Sequence, residues 1–355
     1  MLLPETIRLH NKNEFEFHCI YFLPWKNQMV EALELQGVKV ICLTAHNNLQ
    51  IIKKIPAIVA YIRQHQIQII HSHLPWAGFA SRLIHKRIGI PVLYTEHNKQ
   101  ERYHSITKWM NKASFNWQTL AIAVSDDVQN SILSNIRPSV PVQTVLNGVN
   151  TQIFQRQVEK GNEIRWQNGI PDDAIVIGNL AVFRFQKRLP EWLKVIKSLY
   201  DKYPHVRAIL VGTGPLQEEV DKIIEELGIR DCVITPGLQT NTVEWLSAID
   251  IFMMSSEFEG LPIALLEAMS CECAVVTTDA GGIKEVIRHN KDGLVVSVEK
   301  WDELSDQVEK LINDTILLKQ MQIAARKRVL EAFSLERMVD ELETLYRQES
   351  AVQSS

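Results

Sequence analysis

The sequence predicts an α/β fold with two domains, each built on a doubly wound parallel sheet, that face each other across a cleft. A length of 355 residues favours two domains. Short apolar runs alternate with helical patterns, which indicates parallel strands covered by helices on both faces. The alternation restarts after the turn-forming cluster Asn147-Gly148-Val149-Asn150, so one domain ends there and a second begins.

The first domain is predicted to occupy residues 1–148, and its strands are short apolar runs rich in Val, Ile and Leu. Helical patterns such as NLQIIKKIPAIVAYIRQHQ separate them. The predicted strands are FEFHCIYFL (15–23), VKVICL (38–43), IQIIHSH (67–73), PVLYTEH (91–97), LAIAVS (120–125) and VQTVLNGV (142–149).

The second domain is predicted to occupy residues 149–333, followed by an amphipathic helix over residues 334–350 that opens at Ser334 as a plausible N-cap. Ligands of open α/β sheets bind at the carboxyl ends of the strands, so site residues are expected in the loops that follow the strands. The predicted strands are AIVIGNLAV (174–182), HVRAILVG (205–212), CVITPG (232–237), IDIFMMS (249–255), CAVVTTD (273–279) and GLVVSV (293–298).

Charge is divided unevenly along the chain. Residues 1–148 hold 15 Lys and Arg against 9 Asp and Glu, a formal charge of +6, whereas the remainder holds 23 against 33, a charge of −10. A basic half suits an anionic membrane face or an anionic acceptor, and solvated charge without a partner is the equally weighted alternative. Without a concentrated basic stripe or an aromatic ladder, we expect no nucleic-acid partner.

Composition indicates a cytoplasmic protein. No apolar run reaches the length of a membrane span, and the N-terminus lacks the pattern of a signal peptide. The five cysteines include no Cys-x-x-Cys pair, which favours a reducing compartment. Cys271 and Cys273 are interpreted as small buried residues rather than metal ligands, since no His or Cys partner lies nearby in the sequence.

The densest group of candidate site residues lies in SSEFEGLPIALLEAMSCECAVVTTDAGGIKEVI (255–287). Pro262 suits the first turn of a helix, where a missing N–H needs no partner. Glu259 is then predicted in the loop before that helix and Glu267 more than a turn inside it. The helix start suits a diphosphate, because it offers free N–H groups and the positive end of the dipole. On spacing alone, ordinary acidic residues near a helix start are the favoured alternative.

Three weaker groups also follow predicted strands. The cations of FRFQKR (183–188) can neutralise a leaving diphosphate, or form a solvated basic turn. The glycine turns at 212–214 and 281–282 allow close backbone approach, although a simple strand-to-helix turn is favoured for the former. His71 and His73 share one strand face, and His97 lies at the end of the next strand. They are interpreted as strand-end polar residues rather than metal ligands, since no acidic or Cys partner accompanies them.

Together these segments resemble the retaining glycosyltransferases with two Rossmann-like domains, the GT-B architecture, of the glycogen-synthase and sucrose-synthase-like group (family 4-like, group 1). The resemblance covers residues 15–347. The ordered set of Glu-x7-Glu followed by Asp-x-Gly-Gly-x-x-Glu is its most specific part. The segments that carry it are IIHSHLPWAGFASRL, GIPVLYTEHN, VLNGVNTQIF, LVGTGPL, SAIDIFMMSSEFEGLPIALLEAMS, VVTTDAGGIKEVI and FSLERMVDELETLY.

The resemblance implies a role for each candidate residue. Glu267 is similar to the residue that binds ribose, and Glu259 to the one that contacts the transferred sugar. His97 matches a histidine that contacts the donor sugar across the cleft. The last helix is expected to cross back onto the N-terminal domain. The residues implied in binding the rest of the donor are Ile263 and Ala264, through their amides, Arg184 and Lys187 at the diphosphate, and Leu238 beside the base.

The implied reaction is transfer of a sugar, with retention, from a nucleoside-diphosphate donor to an acceptor hydroxyl. The donor is expected to carry UDP or GDP, and neither a metal nor another cofactor is expected, because cations and a helix start stabilise the leaving charge. Bacterial polysaccharide or glycolipid assembly is the expected setting. The acceptor is then a saccharide or a lipid-linked saccharide at the inner face of the plasma membrane, which the protein contacts peripherally.

The sequence also departs from the family pattern. Family members open with a strand and a Gly-Gly loop, whereas this chain opens within the first helix, so the first strand of the N-terminal sheet is expected to be missing. We therefore expect the natural chain to start upstream of Met1, or this form to be impaired. Val182 stands where relatives have an Arg that Arg184 would replace. Two alternatives remain: a non-catalytic or impaired partner or glycan-binding module, and a sugar-nucleotide epimerase of the same fold.

Overall fold

A computed structural model describes residues 2–351 as two compact α/β units. Unit 1 comprises residues 1–147 and 335–355, and unit 2 comprises residues 148–334. The strands are β1 (His18–Tyr21), β2 (Lys39–Cys42), β3 (Ile70–His73), β4 (Val92–Glu96), β5 (Leu120–Ala123), β6 (Val142–Thr144), β7 (Val176–Leu180), β8 (Arg207–Val211), β9 (Val233–Gly237), β10 (Ile251–Met254), β11 (Ala274–Thr278) and β12 (Leu294–Val296).

Helices separate most of these strands, as the sequence predicts. Short 3₁₀ turns lie at Gln100–Arg102, Phe185–Lys187 and Val298–Glu303. The α-helices are α1 (Leu2–Leu9), α2 (Val30–Glu34), α3 (Asn48–Lys53), α4 (Ile55–Gln64), α5 (Pro75–Ile88), α6 (Ser105–Ser114), α7 (Asp126–Asn135), α8 (Val158–Gln167), α9 (Leu189–Lys202), α10 (Gln217–Glu226), α11 (Thr242–Ser247), α12 (Ile263–Ser270), α13 (Ile283–Val286), α14 (Leu304–Asn313), α15 (Thr315–Ala332) and α16 (Leu335–Ala351).

Each of the twelve predicted apolar runs contains a strand, and every pairing between them is parallel. The central strands of the two larger sheets are buried along their whole length, among them β4, β5, β7 and β10. Burial on both faces explains why these strands read as continuous apolar runs rather than as alternating patterns. The predicted α/β class is therefore confirmed.

Unit 2 contains one six-stranded sheet in the order β12-β11-β10-β7-β8-β9. The chain winds outward from β7 in one direction and then returns to start the other half at β10. The strand order therefore reverses between β7 and β10, and this reversal is where open α/β sheets bind their ligands. The loops that follow β7 and β10 are consequently neighbours, although the two strands are about seventy residues apart.

Unit 1 contains two parallel sheets among the described residues, a pair β1-β2 and a four-stranded sheet β3-β4-β5-β6. The sequence predicted one N-terminal sheet from which the first strand is missing. Within residues 2–351, β1 and β3 are not hydrogen-bonded to each other, and α1 precedes β1.

The last helix, α16, belongs to unit 1. Its residues Leu342, Leu345 and Tyr346 pack with Leu93 and Ile122 of the four-stranded sheet. Burial of this apolar face stabilises the helix more than its intrinsic propensity does.

The division between the units falls at 147/148 and 334/335, whereas the sequence predicted boundaries at 148/149 and 333/334. In the part of the chain described here, none of the helices combines the length and apolarity that crossing a bilayer demands.

Candidate functional site

Unit 2 brings Lys187 and Glu259 into direct contact. Lys187 ends the 3₁₀ turn after β7, and Glu259 lies in the loop after β10. Lys187 Nζ donates to Glu259 Oε1 at 2.6 Å, and Ser256 Oγ donates to the same oxygen at 2.7 Å. Both ends of the ion pair are mostly shielded from solvent. A cation and a carboxylate thus meet where the strand order reverses, at the position expected for a bound ligand.

Hydrogen bonds fix the loop that carries Glu259. Ser255 Oγ donates to the carbonyls of Lys187 and Arg188, at 2.9 and 3.0 Å. Thr278 Oγ1 donates to the carbonyl of Ser256 at 2.6 Å. The predicted glycine turn also contributes, because Gly282 N donates to the carbonyl of Gly260 at 2.9 Å. The loops after β7, β10 and β11 therefore form one connected unit around the Lys187–Glu259 pair.

Helix α12 begins just after this loop. Pro262 is its N-cap, with φ −73° and ψ 120°, one position before the first-turn place that the sequence predicts. Ile263 and Ala264 open the helix, where first-turn amides have no carbonyl partner within the helix. Glu267 lies more than a turn inside, as predicted, and is half-buried. Burial raises the pKa of its carboxyl. Within residues 2–351, no hydrogen bond or ion pair engages this carboxylate.

The Gly212-Thr213-Gly214 turn after β8 supports the loop that carries Lys187. The backbone carbonyl of Thr213 accepts a hydrogen bond from Phe183 N at 3.0 Å, and Leu216 N donates to the carbonyl of Phe183 at 3.1 Å. A Cβ on Gly214 would lie 2.6 Å from Phe183 N and O. The prediction of a simple strand-to-helix turn was incomplete, because only glycine allows this approach to the neighbouring backbone.

Two other predicted donor residues lie at the same sheet edge but outside this contact network. Arg184 is the N-cap of the 3₁₀ turn, and its exposed side chain makes no hydrogen bond or ion pair with another residue of the described chain. Leu238 follows Gly237 at the end of β9, the outermost strand on that side, and its side chain is 75% exposed. Phe185, next to Arg184, packs against Phe258 with 5.7 Å between ring centroids.

In unit 1, the three predicted histidines lie together because β3 and β4 are paired. His71 and His73 share one face of β3, with 4.4 Å between ring centroids. His73 Nδ1 lies 3.1 Å from His97 Nε2, so one ring donates a hydrogen bond to the other. His71 contacts Tyr346 Oη and Thr95 Oγ1, each at 2.7 Å. His97 therefore lies in a fixed orientation at the carboxyl edge of the sheet.

These histidines are neutral near pH 7. Burial lowers the pKa of His97 to about 4 and that of His71 to about 3. Burial also lowers the pKa of His73 well below its usual value, helped by its neighbours His71 and His97. A neutral ring can both donate and accept a hydrogen bond, which suits contact with sugar hydroxyls.

Glu96, which the sequence did not predict as a site residue, holds the loop that carries His97. Its fully buried carboxylate accepts hydrogen bonds from the amides of His97 and Asn98, at 3.0 and 3.3 Å. Burial raises the pKa of this carboxyl, although the hydrogen bonds from Tyr103 and from the amide of Asn98 act in the opposite direction. The sequence signal for Glu96 was a carboxylate within an apolar strand, since Glu is almost never fully buried unless it is paired. Four side chains also donate to this carboxylate: Tyr94, Gln100, Tyr103 and Asn111.

A fully buried cation lies one amide away from this carboxylate. Arg82 donates through one terminal nitrogen to Asn111 Oδ1 at 2.6 Å, and Asn111 Nδ2 donates to Glu96 Oε2 at 3.3 Å. Burial lowers the pKa of Arg82 to about 10. The side-chain amide of Asn111 thus joins the two buried charges, which compensates part of their desolvation.

Cys271 and Cys273 are completely buried, as predicted. Burial raises the pKa of Cys273 to about 12 and also raises that of Cys271. Across residues 2–351, no group of three or more His, Cys, Asp and Glu side chains has a geometry that would hold a metal ion.

Comparison with known proteins identifies the family. Residues 161–328 match the family model "Glycosyl transferases group 1", and residues 11–153 match the model "Glycosyltransferase Family 4". The chain belongs to the group 1, family 4 glycosyltransferases. Among solved structures, this glycosyltransferase is similar to Anabaena HepE in complex with UDP and glucose. The TM-score is 0.83 at 18% identity, over 94% of this chain and 99% of that one.

Curated relatives include enzymes with different acceptors. An N-acetyl-alpha-D-glucosaminyl L-malate synthase from Bacillus anthracis is 30% identical over 225 residues, which is 63% of this chain and 58% of that protein. The match therefore spans less than two thirds of that relative. A UDP-Gal:alpha-D-GlcNAc-diphosphoundecaprenol alpha-1,3-galactosyltransferase from Escherichia coli is 20% identical over 85% of this chain and 82% of its own length. The glycosyltransferase family is thus shared, whereas the named acceptors differ.

Proposed function

We propose that this glycosyltransferase binds a UDP- or GDP-linked sugar through unit 2 and transfers the sugar to an acceptor hydroxyl with retention of configuration. The observation that carries the proposal is the contact of Lys187 with Glu259 beside the start of α12. A diphosphate at this helix start would meet the amides of Ile263 and Ala264 and the ammonium of Lys187. The amides and the ammonium both stabilise the negative charge of a diphosphate leaving group.

The same groups supply the stabilisation that a resident metal ion would otherwise give. Charge develops on the diphosphate as the glycosidic bond breaks, and fixed amides and a cation offset this charge without reorganisation. We therefore propose transfer without a metal or another cofactor. Retention follows if the acceptor hydroxyl attacks from the face that the diphosphate leaves.

The remaining candidate residues take the roles that the resemblance implies. Glu267, whose carboxylate has no partner among the described residues, would accept hydrogen bonds from the ribose hydroxyls. Glu259 and His97 would contact the transferred sugar. Leu238 would lie beside the base, and Arg184 would add positive charge near the diphosphate. In free protein, Lys187 neutralises Glu259, so donor binding would redistribute this ion pair.

For the acceptor, we propose a lipid-linked saccharide at the inner face of the plasma membrane, in polysaccharide or glycolipid assembly. The charge of +6 in residues 1–148 supports an anionic acceptor or an anionic surface. The E. coli relative is named for a diphosphoundecaprenol acceptor, which has this chemistry. The B. anthracis relative is named for L-malate, so a small anionic acceptor is the competing case.

A panel of nucleotide sugars tests the donor proposal. A ligand at about 100 times its dissociation constant adds about 2.7 kcal/mol to the free energy of unfolding, which a thermal shift detects. We expect a UDP- or GDP-sugar to raise the melting temperature in the presence of EDTA. Glu267→Ala should abolish this shift, whereas Glu219→Ala, which removes an exposed carboxylate on α10, should preserve it. No shift with any nucleotide sugar would contradict the proposal.

Product analysis separates the alternatives. Incubation of the donor without acceptor yields an epimeric nucleotide sugar only if the protein is an epimerase. A non-catalytic partner binds donor or glycan but gives neither transfer nor hydrolysis. With acceptor present, the anomeric proton of the product reports retention or inversion by NMR.

A further inference from the structure

Helix α6 of unit 1 exposes two large apolar side chains. Trp109 is 73% exposed and Ile106 is 62% exposed. They are three residues apart and therefore lie on one face of the helix. Met110, Asn111 and Ser114 form the buried face of the helix. A helix already anchored by its inner face has no structural need for an outward tryptophan, so this outer face is a candidate interaction surface.

Basic side chains flank this apolar face. Lys112 is exposed on α6, and Lys108 Nζ donates to Asn135 Oδ1 at 3.2 Å along one side of the helix. Lys86 Nζ lies 5.7 Å from the ring centroid of Trp117, just beyond the helix end. The nearest acid in the sequence, Glu101, accepts hydrogen bonds from Ser131 and Asn135. The surface around Trp109 and Ile106 is therefore apolar at its centre and basic at its edge.

We propose that the face of α6 formed by Ile106, Trp109 and Lys112 docks on a membrane surface that carries anionic lipid. Tryptophan favours the boundary between headgroups and acyl chains, and lysine next to it extends its ammonium towards phosphates. Each basic residue near an anionic leaflet strengthens this binding about fivefold. The proposal rests on the proposed lipid-linked acceptor, because membrane docking brings the enzyme to a substrate that does not leave the bilayer.

The inner face of the same helix connects this surface to the candidate site. Asn111 donates to the carboxylate of Glu96, which in turn accepts from the amide of His97. A helix with its side chains is about 10 Å thick. The loop that carries His97 therefore lies about one helix thickness from the proposed membrane face, within reach of a saccharide attached to a lipid diphosphate.

Vesicle flotation tests the proposal with the full chain. We expect wild type to float with phosphatidylglycerol–phosphatidylcholine vesicles and to bind pure phosphatidylcholine weakly. Trp109→Ser should weaken binding roughly tenfold or more, as expected from loss of one buried apolar side chain. Lys112→Glu should weaken it by roughly tenfold, with a smaller effect at high salt. The matched control is Trp166→Ser in unit 2, because Trp166 is 81% exposed and lies in the acidic part of the chain.

Several outcomes would overturn the inference. The inference is wrong if the wild-type protein does not float, if it binds neutral vesicles as well as anionic ones, or if Trp109→Ser floats like wild type. It is also wrong if the wild-type protein is a soluble dimer that Trp109→Ser dissociates. Circular dichroism melting of each variant checks the fold. Thermal shift with nucleotide sugars keeps the two proposals separate. If donor binding is retained without flotation, only the membrane inference fails, whereas loss of donor binding in wild type contradicts the proposed function.

Discussion

The carboxylate of Glu96 accepts a hydrogen bond from the backbone amide of His97 at 3.0 Å, from a position that is completely buried. The same carboxylate oxygen accepts from Asn98 N and from the hydroxyl of Tyr103. A buried side chain thus fixes the start of the loop whose first residue, His97, is proposed to contact the donor sugar. Glu96 is therefore a positioning residue for His97.

Glu96→Gln should lower transfer activity through His97. The amide group of Gln replaces one acceptor oxygen by a donor, so at least one of the surrounding N–H or O–H groups loses its partner, at about 1–3 kcal/mol each. We expect kcat to fall about tenfold or more, since a small misplacement of a contact group has a large effect on rate. Steady-state kinetics should show little change in donor KM.

The control for this variant is Glu101→Gln, a nearby exposed carboxylate bonded to Ser131 and Asn135. We expect its stability to stay within about 0.5 kcal/mol of wild type. If Glu96→Gln leaves kcat unchanged while its melting temperature falls, Glu96 has only a structural role.

Lys187→Met should weaken the diphosphate site. The substitution removes the cation that contacts Glu259 and leaves that carboxylate with the hydroxyl of Ser256. We expect kcat/KM to fall about 100-fold or more, which is typical for loss of one group that stabilises developing charge. Lys194→Met, at an exposed lysine of α9, should retain wild-type kcat/KM. Equal kcat/KM in both variants would remove Lys187 from the donor site.

Gly214→Ala should disturb the donor loop from a distance. The new Cβ would lie 2.6 Å from Phe183 N and O, and backbone cannot move aside as easily as a side-chain end. We expect a loss of about 1–3 kcal/mol in the free energy of unfolding. The thermal shift by nucleotide sugar should also decrease, because the displaced loop carries Lys187. Thr213→Ala removes atoms from the same turn without adding a contact and should behave as wild type. If Gly214→Ala has the melting temperature of wild type, the loop accommodates the added Cβ without loss of stability and the prediction is wrong.

Acidification should destabilise unit 1 through its histidines. The pKa of His97 is about 4 in the folded protein, against about 6.5 in an unfolded chain. The unfolded state therefore binds more protons between these values, and the free energy of unfolding falls as the pH decreases from 6.5 towards 4. His71 and His73 act in the same direction. Melting temperatures at a series of pH values measure this loss.

His73→Asn isolates part of this effect, because the side-chain oxygen of Asn can occupy the place of Nδ1 beside His97. We expect the variant to lose less stability than wild type between neutral and acid pH. The exposed His104 provides the control, and His104→Gln should keep the wild-type dependence. An unchanged pH dependence in His73→Asn would mean that this histidine is not neutral when folded.

The sequence predicted the local structure well, because the pattern of apolar residues is a local property. The twelve strands found within residues 2–351 all fall in predicted runs, and Glu259 and Glu267 lie in the predicted loop and helix. Helix capping was less accurate, since Pro262 is the N-cap rather than a residue of the first turn. At both positions, the backbone N–H that proline lacks would have no partner within the helix. The sequence alone therefore does not distinguish them.

Buried polar networks were not predicted. Glu96 and Arg82 each stand alone within an apolar run or a helical pattern, so nothing in the local sequence indicates a partner for them. Their partner Asn111 is on a different helix, α6, which only packing brings close. The same applies to Thr278, whose hydrogen bond to Ser256 spans 22 residues.

The sequence by itself determined the class of fold, the position of each strand, and the residue types available for a diphosphate and a sugar. Only the tertiary structure decided which of these residues meet. Lys187 and Glu259 are 72 residues apart and are in contact because β7 and β10 are neighbours in the sheet. His73 and His97 meet because β3 pairs with β4. Apolar periodicity depends on neighbouring residues, whereas strand order depends on which distant surfaces are buried together, and a single sequence does not record that choice locally.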